Sequence, residues 1–183
     1  MRGNLLIVNG ERFLNIIEIL CIALMLLLAF ALQFIMHELP CPLCLLQRFG
    51  FLLASFGLLM NLRFGFHPSH YALTILSALF TAFVALRQVA LHVVPGTGSY
   101  GSAVFGLHLY TWCFVIALVV VIGTTIMLGI DRQYGSTDKT ICKPWIMNTV
   151  FAIIAILIAS NIFSVLMECG LAVCPDNPLH YAW

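Results

Sequence analysis

Hydrophobic residues run along this chain in five long blocks, roughly 13–36, 45–62, 71–94, 103–130 and 146–167, and polar residues, Pro and Gly collect between them. The blocks are continuous. Strands of a membrane barrel would instead alternate in character over about ten residues. At a rise of about 1.5 Å per residue, each block suffices to cross about 30 Å of hydrocarbon as a helix. The pattern predicts an all-α polytopic membrane protein with five transmembrane helices and no internal repeat.

Composition strengthens this reading. Of 183 residues, 62% are hydrophobic and only 8% charged, whereas a soluble domain carries about a quarter charged residues. Too little polar surface exists to keep such a chain in water, and its length suits a single membrane domain, 1–183. A net charge of +1 gives no footprint for nucleic acid.

The basic residues set an expected orientation. Arg2 and Arg12, then Arg63 with His67 and His70, then Arg132, Lys139 and Lys143 all fall on one side if five helices alternate. The amino terminus is therefore expected in the cytoplasm and the carboxyl terminus outside. Ala29-Phe30-Ala31 imitates a signal-peptidase site, but the apolar block continues past it, so an uncleaved helix is expected.

This orientation sorts the seven cysteines. Cys41 and Cys44, in Pro40-Cys41-Pro42-Leu43-Cys44, lie at the exoplasmic junction of the first two helices. Cys169 and Cys174 follow the fifth helix into the same compartment, where disulfides persist. Cys21 and Cys113 are expected as buried small hydrophobes, and Cys142 as an unpaired cytoplasmic thiol. Three readings of the two pairs stay open: structural disulfides, a zinc site with Cys41, Cys44, Cys169 and Cys174 as its four ligands, or thiol–disulfide exchange. Exchange is best motivated. A helix beginning near Cys44 would aim free N–H groups at its sulfur, and Arg48 stands one turn later on the same face.

Arg48 and Arg87 alone break the positive-inside pattern. Both fall a few residues below the exoplasmic surface, where an arginine is costly unless it snorkels or pairs. Two at one depth beside a dithiol suggest a shared polar pocket, with hydrogen bonds from Gln47, Gln88 and His92. Imidazole titrates near neutrality, so His92 suits proton transfer there, or an interfacial cap. Tyr100, Phe105, Tyr110 and Trp112 read as an interfacial belt or as part of the wall of that pocket, with His108 and Trp112 sharing a helix face toward the second and third helices. Asn161 and Glu18 read as local polar pairs or interfacial groups.

Cys41-Pro42-Leu43-Cys44-Leu45-Leu46-Gln47-Arg48 between the first two helices, with Arg87-Gln88-Val89-Ala90-Leu91-His92 late in the third, resembles the disulfide bond formation protein B (DsbB) family. The resemblance covers roughly 13–130, a four-helix portion. It implies a membrane oxidoreductase that reoxidises an exoplasmic thioredoxin-fold dithiol protein and passes electrons to membrane quinone, ubiquinone in the favoured case and menaquinone in the other. It further implies a bacterial inner membrane location. By the same resemblance Cys44 stands next to quinone, Cys41 exchanges with a second cysteine pair, Arg48 is the quinone-site arginine and His92 is a polar neighbour of that site. Gln47 and Arg87 complete the expected quinone-binding set.

One departure is large. The family's second pair lies in a long loop between the third and fourth helices, whereas here that loop, about 95–102, is short and lacks cysteine. An additional helix, 146–167, and an exoplasmic tail, 168–183, deliver Cys169 and Cys174 instead. The expectation is a DsbB-like four-helix bundle plus a fifth helix, with the tail pair replacing the loop pair as catalytic relay. A non-catalytic subunit of a membrane redox complex, holding structural disulfides, is the alternative. A small transporter is disfavoured because Arg48 and Arg87 cluster at one edge and not at the midplane.

Overall fold

The computed structural model describes residues 2–93, 103–134, 144–172, 174 and 181, with side chains from Gly10 onward except that of Arg132. The loop expected at 95–102, with Lys139, Cys142 and Lys143, lies outside the described residues. Five helices account for the apolar blocks: α1 (Arg2–Ile35), α2 (Pro42–Phe64), α3 (Pro68–His92), α4 (Leu109–Leu128) and α5 (Pro144–Cys169). Each includes a stretch long and apolar enough to cross a membrane, and the protein is an all-helical, multi-pass membrane protein.

Local chemistry sets the helix ends. Proline opens α2, α3 and α5, where its missing N–H costs nothing and its fixed φ suits the first turn. Gly65, at φ 94°, ends α2 in a conformation that side chains disfavour. The fourth block departs from expectation. Its first residues form a two-strand hairpin, β1 (Ala103–Val104) with β2 (Leu107–His108), and the helix begins only at Leu109. Phe105 and Gly106 both have positive φ, as a tight two-residue hairpin turn requires. Trp112 Nε1 donates to the Val104 carbonyl at 2.9 Å, tying this indole to the hairpin. Uniform hydrophobicity hid the change from strand to helix.

α2 is the centre of the bundle. It packs most extensively on α3, and also meets α1, α4 and α5. Small residues permit close approach of α2 and α3, as is common between helices in membranes. A Cβ at Gly57 would lie 2.7 Å from the His70 carbonyl oxygen, and one at Gly50 would collide with the Thr81 hydroxyl. Ile22, Leu26, Phe51, Leu58, Ala85 and Leu157 fill the core.

At the bundle end away from Cys41 and Cys44, several buried polar side chains bond to one another, as a dry interior favours. Asn15 Nδ2 donates to the Tyr71 hydroxyl at 3.1 Å, Asn61 Nδ2 donates to Asn15 Oδ1 at 3.2 Å, and the Tyr71 hydroxyl donates to Gln133 Oε1 at 3.0 Å. These bonds join α1, α2, α3 and the 3-10 turn Asp131–Gln133 that follows α4. The Thr124 hydroxyl donates to Glu18 Oε1 at 3.0 Å, so Glu18 does find a polar partner, across α1 and α4.

Gly57→Ala should force α2 from α3 and cost about 1–3 kcal/mol, the usual scale of overpacking. Thermal unfolding in detergent measures it. Gly10→Ala, where no neighbour lies within 4 Å, is the control expected to lose nothing.

Candidate functional site

The helix start at Pro42 makes Cys41 the N-cap of α2. The Cys44 N–H donates to Cys41 Sγ at 3.3 Å. The expectation that free N–H groups would serve Cys44 is thus corrected: the helix opens one residue after Cys41, and Cys41 receives the bond. The two sulfurs lie 2.7 Å apart, within a small rotation of a disulfide near 2.05 Å.

Gln88 of α3 closes over both thiols. Its Nε2 donates to Cys41 Sγ at 3.1 Å and to Cys44 Sγ at 3.4 Å. Gln47 Nε2 in turn donates to Gln88 Oε1 at 2.6 Å, fixing the amide with its nitrogen toward sulfur. Cys41 is buried while Cys44 is half-buried. The hydrogen bond to Cys44, and then burial, push the Cys41 thiol above its ordinary range, so Cys41 keeps its proton.

Arg48 does not snorkel. It is buried, and its Nη1 donates to Gln33 Oε1 at 2.6 Å while Nη2 donates to the Ala29 carbonyl at 3.2 Å. Its guanidinium also lies 4.7 Å from the centre of the Phe30 ring, a favourable cation–π placement. Gln33 carries the network onward to α5: its Nε2 donates to the Ser164 hydroxyl at 2.7 Å, and that hydroxyl lies 3.0 Å from Gln33 Oε1. The Tyr181 hydroxyl accepts from Gln33 Nε2 at 3.4 Å. One turn after Ser164 stands Glu168, 1% exposed, whose carboxylate oxygens have no hydrogen-bond partner among the described residues but which interacts electrostatically with Arg48.

A cleft opens beside this cluster. Met25, Leu32, Leu39 and Leu109 give it apolar walls; Cys44, Gln47, Arg48 and Tyr110 give it polar groups, and Cys113 also reaches it. Such a mixture suits a flat apolar ligand with a few oxygens. His92 stands next to the cleft: its Nδ1 donates to the Gln88 carbonyl at 2.8 Å, and its ring centre lies 5.5 Å from that of Tyr110. His108 also stacks on Tyr110, at 5.3 Å.

The structure therefore brings Cys41, Cys44, Gln47, Arg48 and His92 together. It does not bring Arg87, which is exposed beside buried Gln88. Equal depth placed the two arginines together in the sequence reading, but neighbouring helix residues point different ways. The buried face of α3 passes through Thr74, Ser77, Thr81, Ala85 and Gln88, one residue off Arg87. Gln33 and Ser164 had no place in that reading, a polar residue inside an apolar block being their only signal, and Glu168 fell at the start of the expected tail, 168–183. Cys113 is buried as expected, whereas Cys21 is exposed on α1.

Cys169 and Cys174 form a disulfide, which removes them as zinc ligands. Both cysteine pairs occupy one end of the bundle. Gln33 joins the levels of Arg48 and Ser164; Cys44 lies four residues beyond the first and Cys169 five beyond the second, rises of about 6 and 8 Å.

Cys44→Ala removes the first cause of the upward shift at Cys41. The titration of Cys41 should then move down toward that of an ordinary thiol. Alkylation of Cys41 at neutral pH should accelerate about three- to fourfold for each pH unit of that movement, since the thiolate fraction rises while its nucleophilicity falls. Rates measured across pH on the reduced protein check this.

A family model described as disulfide bond formation protein DsbB matches residues 11–102, which takes in α1 from Glu11, the cysteine turn, α2 and α3. No curated protein and no solved structure matches the chain. The matched half contains Cys41, Cys44, Gln47, Arg48, Gln88 and His92; α4, α5 and the tail disulfide lie beyond it. With the dithiol, its amide clamp and the buried arginine in that half, the chain belongs to the DsbB family of membrane oxidoreductases that act in disulfide bond formation.

Proposed function

We propose that the protein is a quinone-linked thiol oxidoreductase that reoxidises an exoplasmic thioredoxin-fold dithiol oxidase. It would work in the bacterial inner membrane, amino terminus cytoplasmic and carboxyl terminus periplasmic. The observation that carries this reading is the placement of Cys44, one bond's reach from Cys41, on a largely apolar cleft whose polar side includes the buried Arg48.

A quinone ring fits the chemistry of that cleft. Apolar side chains suit the ring and its isoprenoid tail, and Arg48 and Tyr110 supply donors for its oxygens. Quinone, when bound, supplies an acceptor for two electrons and two protons; ubiquinone is favoured and menaquinone is the comparison. The residues of the chain do the rest. Gln88 holds the two sulfurs in register for disulfide closure. Arg48 presents a fixed positive charge to negative charge developing in the cleft, and such pre-set electrostatics are worth most away from water. Gln33 and Ser164 keep that charge from relaxing. His92 offers a titratable ring beside Tyr110 for proton exchange. Arg87, facing outward, is assigned contact with the lipid headgroup region near the mouth of the site.

The tail pair is proposed as the relay. Its disulfide lies at the same end of the bundle as Cys41–Cys44, which supports the reading, because exchange needs the sulfurs to meet. A reduced partner would open Cys169–Cys174, and the tail dithiol would then reduce the inner pair.

Two outcomes are expected in lipid-reconstituted protein. Arg48→Ala should lower ubiquinone-dependent dithiol oxidation about ten- to a hundredfold, the scale of a charge-assisted hydrogen bond of about 1.5–3 kcal/mol. An unchanged rate would remove Arg48 from the acceptor site. Cys169→Ser with Cys174→Ser should abolish oxidation of a thioredoxin-fold dithiol protein while sparing that of dithiothreitol, which can reach Cys41–Cys44 directly. Full turnover of the protein dithiol would sink the relay.

A further inference from the structure

Two acidic groups share one cation at the cysteine end of the bundle. Glu168, in the last turn of α5, is 1% exposed, and neither of its oxygens has a hydrogen-bond partner among the described residues. It stands one turn beyond Ser164, which Gln33 links to Arg48. Arg48 and Cys44 of α2 both act electrostatically on Glu168, and Cys44 and Glu168 both act on Arg48. α1, the other helix packed against α5, brings neutral Gln33 to this level. Cys113 of α4 also acts on Arg48, Glu38 past the end of α1 borders the cleft, and the Tyr181 hydroxyl meets Gln33. Cys44 lines the cleft beside Arg48, whereas Glu168 is enclosed in the bundle.

Charge balance makes these two groups alternatives. A buried guanidinium calls for one negative partner, and a second anion beside the first is opposed by repulsion and by desolvation. When Cys41 and Cys44 are joined, neither sulfur carries charge, and the Glu168 carboxylate is the counter-charge to Arg48. When the bond is broken, a Cys44 thiolate takes that role. With the two sulfurs unbonded, Arg48 directs Nη1 and Nη2 to the neutral oxygens of Gln33 and Ala29, and the Glu168 carboxyl receives no bond from it.

We infer that Glu168 holds a redox-linked proton: it is the carboxylate partner of Arg48 while Cys41–Cys44 is a disulfide, and it takes up a proton when reduction puts negative charge on Cys44. This rests on the reading of Cys41–Cys44 as the redox pair and not on the identity of the acceptor. An incoming dithiol loses two electrons and two protons. The Cys41–Cys44 bond takes the electrons and breaks; one proton goes to Cys41, Cys44 stays a thiolate facing Arg48, and the second proton goes to Glu168. Reoxidation reverses each change. The sulfur–sulfur bond forms, two electrons pass to the acceptor, and Cys41 and Glu168 release one proton each, the number quinone takes with two electrons. Glu168 acts through Arg48 and does not touch sulfur. α5 thereby supplies a group from outside the matched residues 11–102.

The test equilibrates the full chain, in quinone-free lipid, with mixtures of reduced and oxidised dithiothreitol from about pH 6 to 7.5, where ordinary thiols keep their protons. Alkylation and peptide mapping read the Cys41–Cys44 pair by itself. The wild-type site takes up both protons that dithiothreitol gives, so its equilibrium constant should not change with pH. Glu168→Gln sends one of them to solvent, so reduction should become about tenfold more favourable for each pH unit gained. Glu168→Asp keeps a carboxyl and should stay flat. A flat profile for Glu168→Gln, or a tenfold slope in the wild type, overturns the assignment. Infrared difference spectra give a second readout: reduction of the wild type should add the carbonyl band of a protonated carboxyl, and Glu168→Gln should lack it. A band missing from the wild type, or surviving in Glu168→Gln, overturns it as well, and the first of these needs no variant to fold. A Cys41–Cys44 pair that never exchanges with dithiothreitol would sink the redox reading itself, and the role of Glu168 with it.

Discussion

A guanidinium held inside an apolar bundle sets the terms for this structure. Arg48 cannot be buried alone, because an uncompensated charge in a medium of low dielectric is among the most costly groups a fold can hold. Gln33, the Ala29 carbonyl and the Phe30 ring stabilise it. Each belongs to α1, so the need to satisfy one side chain of α2 fixes how α1 lies against it. Gln33 then needs its own partner and finds Ser164, which brings α5 to the same level. Packing between apolar helices is permissive about register, since lipid competes well for the same surfaces. A chain of directional bonds is not permissive, and it aligns three helices at one level, a turn from Cys44.

The two ends of the bundle use the same device for different purposes. Away from the cysteines, Asn15, Tyr71, Asn61 and Gln133 bond among themselves. At the cysteine end the network contains a charge and opens on a cleft. There the polar groups are aimed at something besides one another.

Much of this was legible in the residues. Five apolar blocks gave five helices because length and hydrophobicity decide membrane crossing. Cys41-Pro42-Leu43-Cys44 with Arg48 one turn on marked the site, since a helix start and an i, i+4 spacing are local properties. Azimuth was less legible. Arg87 and Gln88 have the same depth, and only the recurrence of Thr74, Ser77, Thr81 and Ala85 shows which of them faces inward. The hairpin before α4 was hidden because its residues are as apolar as the helix that follows. Glu168 falls in the expected tail, 168–183, because the last turn of α5 extends past the apolar block.

The small ring closed by Cys169 and Cys174 has a thermodynamic consequence. In the chain-entropy view a cross-link constrains the unfolded chain in proportion to the logarithm of the loop it closes, and a ring this short contributes only about 2 kcal/mol, against nearly 5 for a loop of a hundred residues. The bridge also ties together neighbours in the chain and not distant helices. α5 is held instead by Ser164 and by its contacts with α1 and α2. Opening the tail bridge would therefore cost the membrane domain little stability, so the proposed relay and the packing of α5 make separate demands on the chain.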